Sequence, residues 1–124
     1  MNIFLVEDSE MVRQRISTFV NQIGGMHIVG EAATPFRAVA GIASVKPDAV
    51  VLDIGLVGGS GMSVLHQVHE LEPELPVIVL TNYVSPEFRQ ACLNAGAKYF
   101  FDKSHEFEEM GSALEQIALS KLTN

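Results

Sequence analysis

The chain has 124 residues, 48% hydrophobic and 19% charged, which suits one domain core and leaves little room for a second. Its net charge is −7 with lysine and arginine thinly scattered, which argues against direct binding of nucleic acid by this segment. No apolar run approaches the ~18–20 residues that span a bilayer, the acidic start is unlike a signal peptide, and the lone Cys92 excludes an internal disulfide.

The first apolar run, Asn2–Val6, is too short for an independent helix and shows almost no polar alternation, so it reads as a strand covered on both faces. Ser9 or Asp8 then caps a first helix whose apolar positions Val12, Ile16, Phe19, Val20 and Ile23 keep helical spacing, and Gly24 and Gly25 stop it. His27–Glu31 is a second strand, and Thr34-Pro35 opens the second helix with a cap and a first-turn proline. Ala49–Leu52 is a third strand, apolar throughout. Ser60-Gly61 begins a third helix carrying Met62, Val64, Leu65, Val68 and Leu71, ended by Pro73. Val77–Leu80 is the fourth strand, Ser85-Pro86 opens the fourth helix and Gly96 closes it. Lys98–Phe101 is the fifth strand, and Ser104 is expected to cap the last helix with Glu106 and Glu108 near its positive end. This (βα)5 order predicts a doubly wound α/β fold with a parallel five-stranded sheet, right-handed crossovers and helices on both faces, one domain over residues 1–124.

In such sheets, ligands bind beyond the carboxyl ends of the strands. Glu7 and Asp8 follow the first strand, Asp53 the third, Thr81 the fourth and Lys103 the fifth. Three carboxylates gathered there repel by roughly 3 kcal/mol per pair at ~5 Å and an effective dielectric of ~20. A cation or a retained proton has to relieve this, and an all-oxygen set suits Mg²⁺. Cys92 reads as a small buried hydrophobe. His66 and His69 share a helix face with no further ligand evident, His27 and His105 show no partner signal, and Glu106, Glu108 and Glu109 read as a solvated helix end. The glycines Gly58, Gly59 and Gly61 lack the Gly-Lys-Ser/Thr of a phosphate loop.

Four segments together resemble the receiver domain of bacterial two-component response regulators over essentially the whole chain. They are the pair Glu7-Asp8, VVLDIGL with Asp53, VIVLTN with Thr81, and AGAKYFFDK with Lys103. The resemblance implies a flavodoxin-like strand order 2-1-3-4-5. It implies a phosphoprotein of a cytoplasmic signal-transduction phosphorelay, with Asp53 accepting a phosphoryl group from a histidine kinase or a His phosphotransfer protein. Glu7, Asp8, Asp53 and the Gly55 carbonyl would hold Mg²⁺, and Lys103 would bind a phosphoryl oxygen. Thr81 would swing toward the phosphoryl group and Phe100 would turn inward, reshaping the face of the fourth helix, fifth strand and fifth helix that meets a downstream protein target. The donor would dock near Met11, Val12 and Arg15, and the domain would act as a monomer or a phosphorylation-dependent dimer, with no output domain in this chain.

Three residues depart from the family pattern. Val57 stands where proline is frequent, Asn82 where a very small residue is usual, and Ser104 where a proline joined by a cis bond is common. None removes a residue that does chemistry. Beyond autophosphorylation and autodephosphorylation the chain reads as no enzyme: phosphatases with an aspartate nucleophile carry a second acid two residues on, where Gly55 stands here. The alternative is a constitutive scaffold with a vestigial phosphorylation pocket.

Overall fold

Strands and helices alternate along the chain in the computed structural model, which describes residues 1–56 and 61–122. The order is β1 (Asn2–Val6), α1 (Glu10–Asn21), β2 (His27–Ala32), α2 (Pro35–Val45), β3 (Ala49–Leu52), α3 (Gly61–Leu71), β4 (Val77–Thr81), α4 (Pro86–Asn94), β5 (Tyr99–Asp102) and α5 (Glu109–Leu122). The sheet runs β2-β1-β3-β4-β5 with every pair parallel. The chain moves outward to β2, then returns past β1 to β3, so the direction of winding reverses between β1 and β3. The crevice at their carboxyl ends is where this topology leaves room for a ligand.

Apolar strands without alternation follow from two cores, one on each face. Ile3 and Leu5 of β1, Val51 of β3 and Ile78 and Leu80 of β4 meet Ile16 and Val20 of α1 and Leu114 and Ile117 of α5. Their neighbours in sequence, Phe4, Val6, Val50, Leu52, Val77 and Val79, point the other way onto Ile42 of α2, Val64, Leu65 and Val68 of α3, and Cys92 of α4. Each fully buried aliphatic side chain contributes about 1.5–3 kcal/mol relative to exposure. Cys92 is fully buried, its thiol pushed up by burial, in keeping with a packing role. Room for the Phe4 ring comes from Gly30 of β2 and Gly41 of α2, where a Cβ would lie 2.6 Å from ring carbons.

Helix starts follow the expected chemistry. Ser9, Thr34 and Ser85 each accept a backbone N–H three residues on, and Pro35 and Pro86 occupy the first turns. The stops at Gly25 and Gly96 use positive φ, 81° and 111°. Helix α2 ends differently, on Lys46 in the left-handed region (φ 53°), a position no glycine marked. Three boundaries shift by one residue: β2 extends to Ala32, β4 takes in Thr81, and β5 spans Tyr99–Asp102 rather than 98–101. The larger difference is α5, which begins at Glu109 and is not capped by Ser104. Asp102 is the reason: its carbonyl accepts from Glu106 (2.7 Å) and His105 (3.3 Å), its carboxylate accepts from the Ser104 N–H (2.9 Å), and its own N–H donates to Glu106 Oε1 (3.0 Å). These bonds close a turn before the helix. Val57, Gly58, Gly59 and the expected cap Ser60 lie outside the described residues.

Gly61 opens α3 and sets the turn below Asp53. Its N–H donates to the Ile54 carbonyl at 2.7 Å, and a Cβ would lie 2.5 Å from Ile54 Cα and 2.6 Å from the Asp53 carbonyl oxygen. Backbone atoms cannot rotate away as a side chain can. Gly61→Ala is therefore expected to destabilise the domain by about 2 kcal/mol through overpacking. Gly24→Ala, with nothing within 4 Å of its Cβ, should stay within about 0.5 kcal/mol of the parent in urea denaturation.

Candidate functional site

Backbone ladders bring the acids together. The Glu7 N–H donates to Ala32 O at 3.0 Å as β1 leaves the sheet, and the Asp53 N–H donates to Val6 O at 2.9 Å as β3 leaves it. Carboxylate oxygens of Glu7, Asp8 and Asp53 consequently lie within 4.8 Å of one another. Glu7 is 1% exposed and Asp53 8%, so neither is a solvated helix start, while Asp8 is half-buried at the rim.

Lys103 reaches this cluster from β5. Its N–H donates to Thr81 O at 2.9 Å, fixing the start of its side chain beside β4. Its ammonium donates to Glu7 Oε1 at 2.5 Å and Asp53 Oδ2 at 2.8 Å. The remaining oxygens are also occupied: Glu7 Oε2 accepts the Ser9 N–H at 3.0 Å and Asp53 Oδ1 accepts the Gly55 N–H at 3.1 Å. Burial raises the pKa of Glu7, and the hydrogen bonds from Lys103 and Ser9 only partly offset it. Burial also works against the Lys103 ammonium, but hydrogen bonds and charge from Asp53 and Glu7 outweigh it and leave its pKa raised. One ammonium against three carboxylates leaves the cluster acidic. Its all-oxygen donors, with Asp8 at the open side, suit a hard divalent cation that keeps water or phosphoryl ligands.

The other candidates stand around this centre. Thr81 is the last residue of β4 and fully buried, with its Oγ1 accepting the Tyr83 N–H at 3.2 Å. The Tyr83 ring closes over Gly55, where a Cβ would come within 2.6 Å of it. Phe100, expected to turn inward on phosphorylation, already lies inward, 4% exposed. It meets Phe88 edge-on at 6.3 Å between centroids, and Arg89 donates to its carbonyl at 3.2 Å. Met11 is exposed at the start of α1, Val12 is half-buried, and the exposed Arg15 lies 4.7 Å over the Phe107 ring.

Several participants had no sequence signal. Arg13 donates to the Glu7 carbonyl at 2.8 Å and pairs with Glu31 at 3.5 Å, tying the β1–α1 loop to β2. His105 meets Asp102 at 3.0 Å, and Glu106 is engaged with the Asp102 N–H instead of standing at a solvated helix end. His66 and His69 remain exposed on α3, with the His69 ring packed against Gly96. Among the described residues, no helix is long and apolar enough to cross a membrane.

A family model described as the response regulator receiver domain matches residues 3–115. The chain is 28% identical over 121 residues to the DNA-binding transcriptional activator DevR/DosR of Mycobacterium tuberculosis, covering 98% of this chain and 56% of that protein. It is 33% identical over 110 residues to the uncharacterized transcriptional regulatory protein YhcZ of Bacillus subtilis, covering 89% of this chain and 51% of that protein. A two-component response regulator of the LuxR family from Aurantimonas sp. superposes with a TM-score of 0.90 at 26% identity, over 96% of this chain and 85% of that one. The chain thus spans about half the length of the curated relatives it matches.

The raised pKa of Glu7 has a consequence for stability. An acid whose pKa is raised on folding stabilises the fold below its unfolded pKa and loses that contribution as pH rises through the folded value. As pH rises through the folded value, ionisation of Glu7 therefore works against folding of the metal-free protein. In chelator, the stability of the wild type relative to Glu7→Gln is expected to fall as pH rises from below the ordinary glutamate value of about 4.3 to neutrality, as read by thermal denaturation of both proteins against pH.

Proposed function

The chain belongs to the response regulator receiver domain family, and from that premise we propose that it is a phosphorylation-dependent switch with Asp53 as phosphoacceptor. The observation that carries this reading is the Asp53 carboxylate at the β1/β3 crevice, 2.8 Å from the Lys103 ammonium and clustered with Glu7 and Asp8. Phosphoryl transfer needs little covalent help from the protein beyond positioning and charge stabilisation, and this arrangement supplies both.

A carboxylate oxygen of Asp53 forms a bond to phosphorus as the bond from phosphorus to the donor's imidazole nitrogen breaks. The electron pair of that bond leaves on the imidazole. Carboxylates of Glu7, Asp8 and Asp53 with the Gly55 carbonyl would hold Mg²⁺, which neutralises charge on the transferring group. Lys103 is placed to exchange Asp53 Oδ2 for a phosphoryl oxygen. Thr81 would release the Tyr83 N–H and turn its hydroxyl toward the same group. Water attacking phosphorus later breaks the acyl-phosphate bond, restoring the carboxylate and releasing phosphate.

The donor is a phosphorylated histidine on a kinase or a His phosphotransfer protein, docking at α1 around Met11, Val12 and Arg15. The target meets the α4-β5-α5 face, where Phe88, Arg89 and Phe100 pack together. Residues 1–124 act as one receiver unit in the cytoplasm. The regulators of transcription among its relatives suggest that the surface ultimately controls gene expression through a partner or a longer chain. Gly55, in place of a second acid, supports a switch over a phosphatase that turns over external phosphoesters.

Incubation with acetyl phosphate and Mg²⁺ is expected to label wild-type protein and to fail for Asp53→Asn or in excess chelator, with the adduct mapped by mass spectrometry. Equal labelling of Asp53→Asn would refute the assignment, and a wild type that takes neither acetyl phosphate nor beryllofluoride would favour a constitutive scaffold. Val12→Asp should slow transfer from the kinase about tenfold, equivalent to 1.4 kcal/mol of lost binding, while labelling by acetyl phosphate is unchanged. Equal slowing of both would remove α1 as the docking surface.

A further inference from the structure

Two of the departures from the family pattern, Asn82 and Ser104, meet in the fold. Ser104 Oγ donates to Asn82 Oδ1 at 3.0 Å, joining the β4–α4 loop to the β5–α5 loop. The bond has a definite place in the sheet. Strands β4 and β5 pair as far as Thr81 against Asp102, and the Lys103 N–H donates to Thr81 O one step further. Asn82 and Ser104 come next, where the backbones separate into loops, and their side chains supply the outermost link. Each directly follows a residue of the site: Asn82 follows Thr81, and Ser104 follows Lys103.

Both partners are held for this contact. The Ser104 N–H is bonded to Asp102 Oδ1 at 2.9 Å, and its hydroxyl caps no helix because α5 starts only at Glu109. On the other side, the Tyr83 N–H rests on Thr81 Oγ1 at 3.2 Å and the Tyr83 ring rests against Gly55. Lys103 is anchored to Glu7 and Asp53. The β5 end is therefore tied to the acidic cluster through Lys103, while the β4 end is held by the Thr81 Oγ1 bond to its own loop, the bond that the proposed switch releases.

Resting on the reading of Asp53 as phosphoacceptor, we propose that Asn82 and Ser104 are positioning residues that clasp the β4–α4 loop in its resting arrangement. Thr81 is fully buried and engaged with its own loop. Turning its hydroxyl toward a phosphoryl group shifts that loop relative to the anchored β5 end, and the clasp opens. A ligand that binds the shifted state has to supply the difference, so the clasp lowers its apparent affinity by the fraction of protein held at rest. For a neutral exposed hydrogen bond this amounts to about threefold to fivefold. The pair sets the threshold of the switch and leaves its chemistry untouched.

The test uses the whole chain and beryllofluoride with Mg²⁺ as the phosphoryl mimic, titrated by calorimetry or by amide shifts. Asn82→Ala and Ser104→Ala are each expected to tighten binding about threefold to fivefold. The double variant should be no tighter than either single one, because both remove the same bond. Ser104→Thr, which keeps the hydroxyl, should match wild type. Asn82→Ala also opens space beside the site, so the deciding comparison is Ser104→Ala within the Asn82→Ala background, where the clasp predicts no effect. Additive effects, unchanged affinities or weakened binding would overturn the clasp while leaving Asp53 as phosphoacceptor. A wild type that neither binds the mimic nor takes label at Asp53 would overturn both.

Discussion

One ammonium group between two buried carboxylates makes the rest of the site possible. Glu7, Asp8 and Asp53 share a space in which each pair of ionised groups repels by roughly 3 kcal/mol at ~5 Å. Lys103 relieves that repulsion at Glu7 and Asp53 simultaneously, at 2.5 and 2.8 Å. It does so from β5, two strands away from β3, with its stem passing the end of β4. The contact joins residues 96 and 50 positions apart. Such a contact forms only when the sheet is complete, because closing long loops costs entropy that strand pairing and both cores must offset. The resting site and the global fold are therefore linked through one side chain.

Relief is incomplete, and that incompleteness is chemically useful. The cluster keeps excess negative charge, which suits a divalent cation, and burial leaves Glu7 harder to ionise than a free glutamate. At the same time, the polar atoms at the centre already have protein partners. Asp53 Oδ2 has Lys103, Asp53 Oδ1 has Gly55, and Thr81 has the Tyr83 N–H. In the proposed switch, a phosphoryl group arriving there would exchange partners instead of entering an unbonded void. Near-balanced exchange is what a population shift requires.

Structure also offers a physical route outward from the centre. Tyr83, whose ring covers Gly55, lies 6.4 Å from Phe88, and Phe88 lies 6.3 Å from Phe100. Arg89 stacks on Phe100 and bonds its carbonyl. Tyr83 is exposed, Phe88 half-buried and Phe100 buried, so the packed part of this chain is the Phe88–Phe100 pair, through which a shift of α4 would reach β5. Phe100 is buried in this arrangement, edge-on to Phe88.

Sequence alone determined the (βα)5 order, the parallel sheet and the place of Glu7, Asp8, Asp53, Thr81 and Lys103 at its carboxyl edge. Those features are written in local patterns: apolar runs without alternation, a cap followed by proline, glycine after a helix, an acid after a strand. Helix α5 escaped because Ser104 looks like a cap locally, whereas Asp102 captures the following N–H groups in a turn. The left-handed end of α2 at Lys46 escaped because no glycine announces it. Arg13 on the Glu7 carbonyl, Tyr83 over Gly55 and Ser104 on Asn82 were decided by tertiary structure. Each depends on how far two strand ends or loops stand apart, a distance set by packing and carried by no residue in its own neighbourhood.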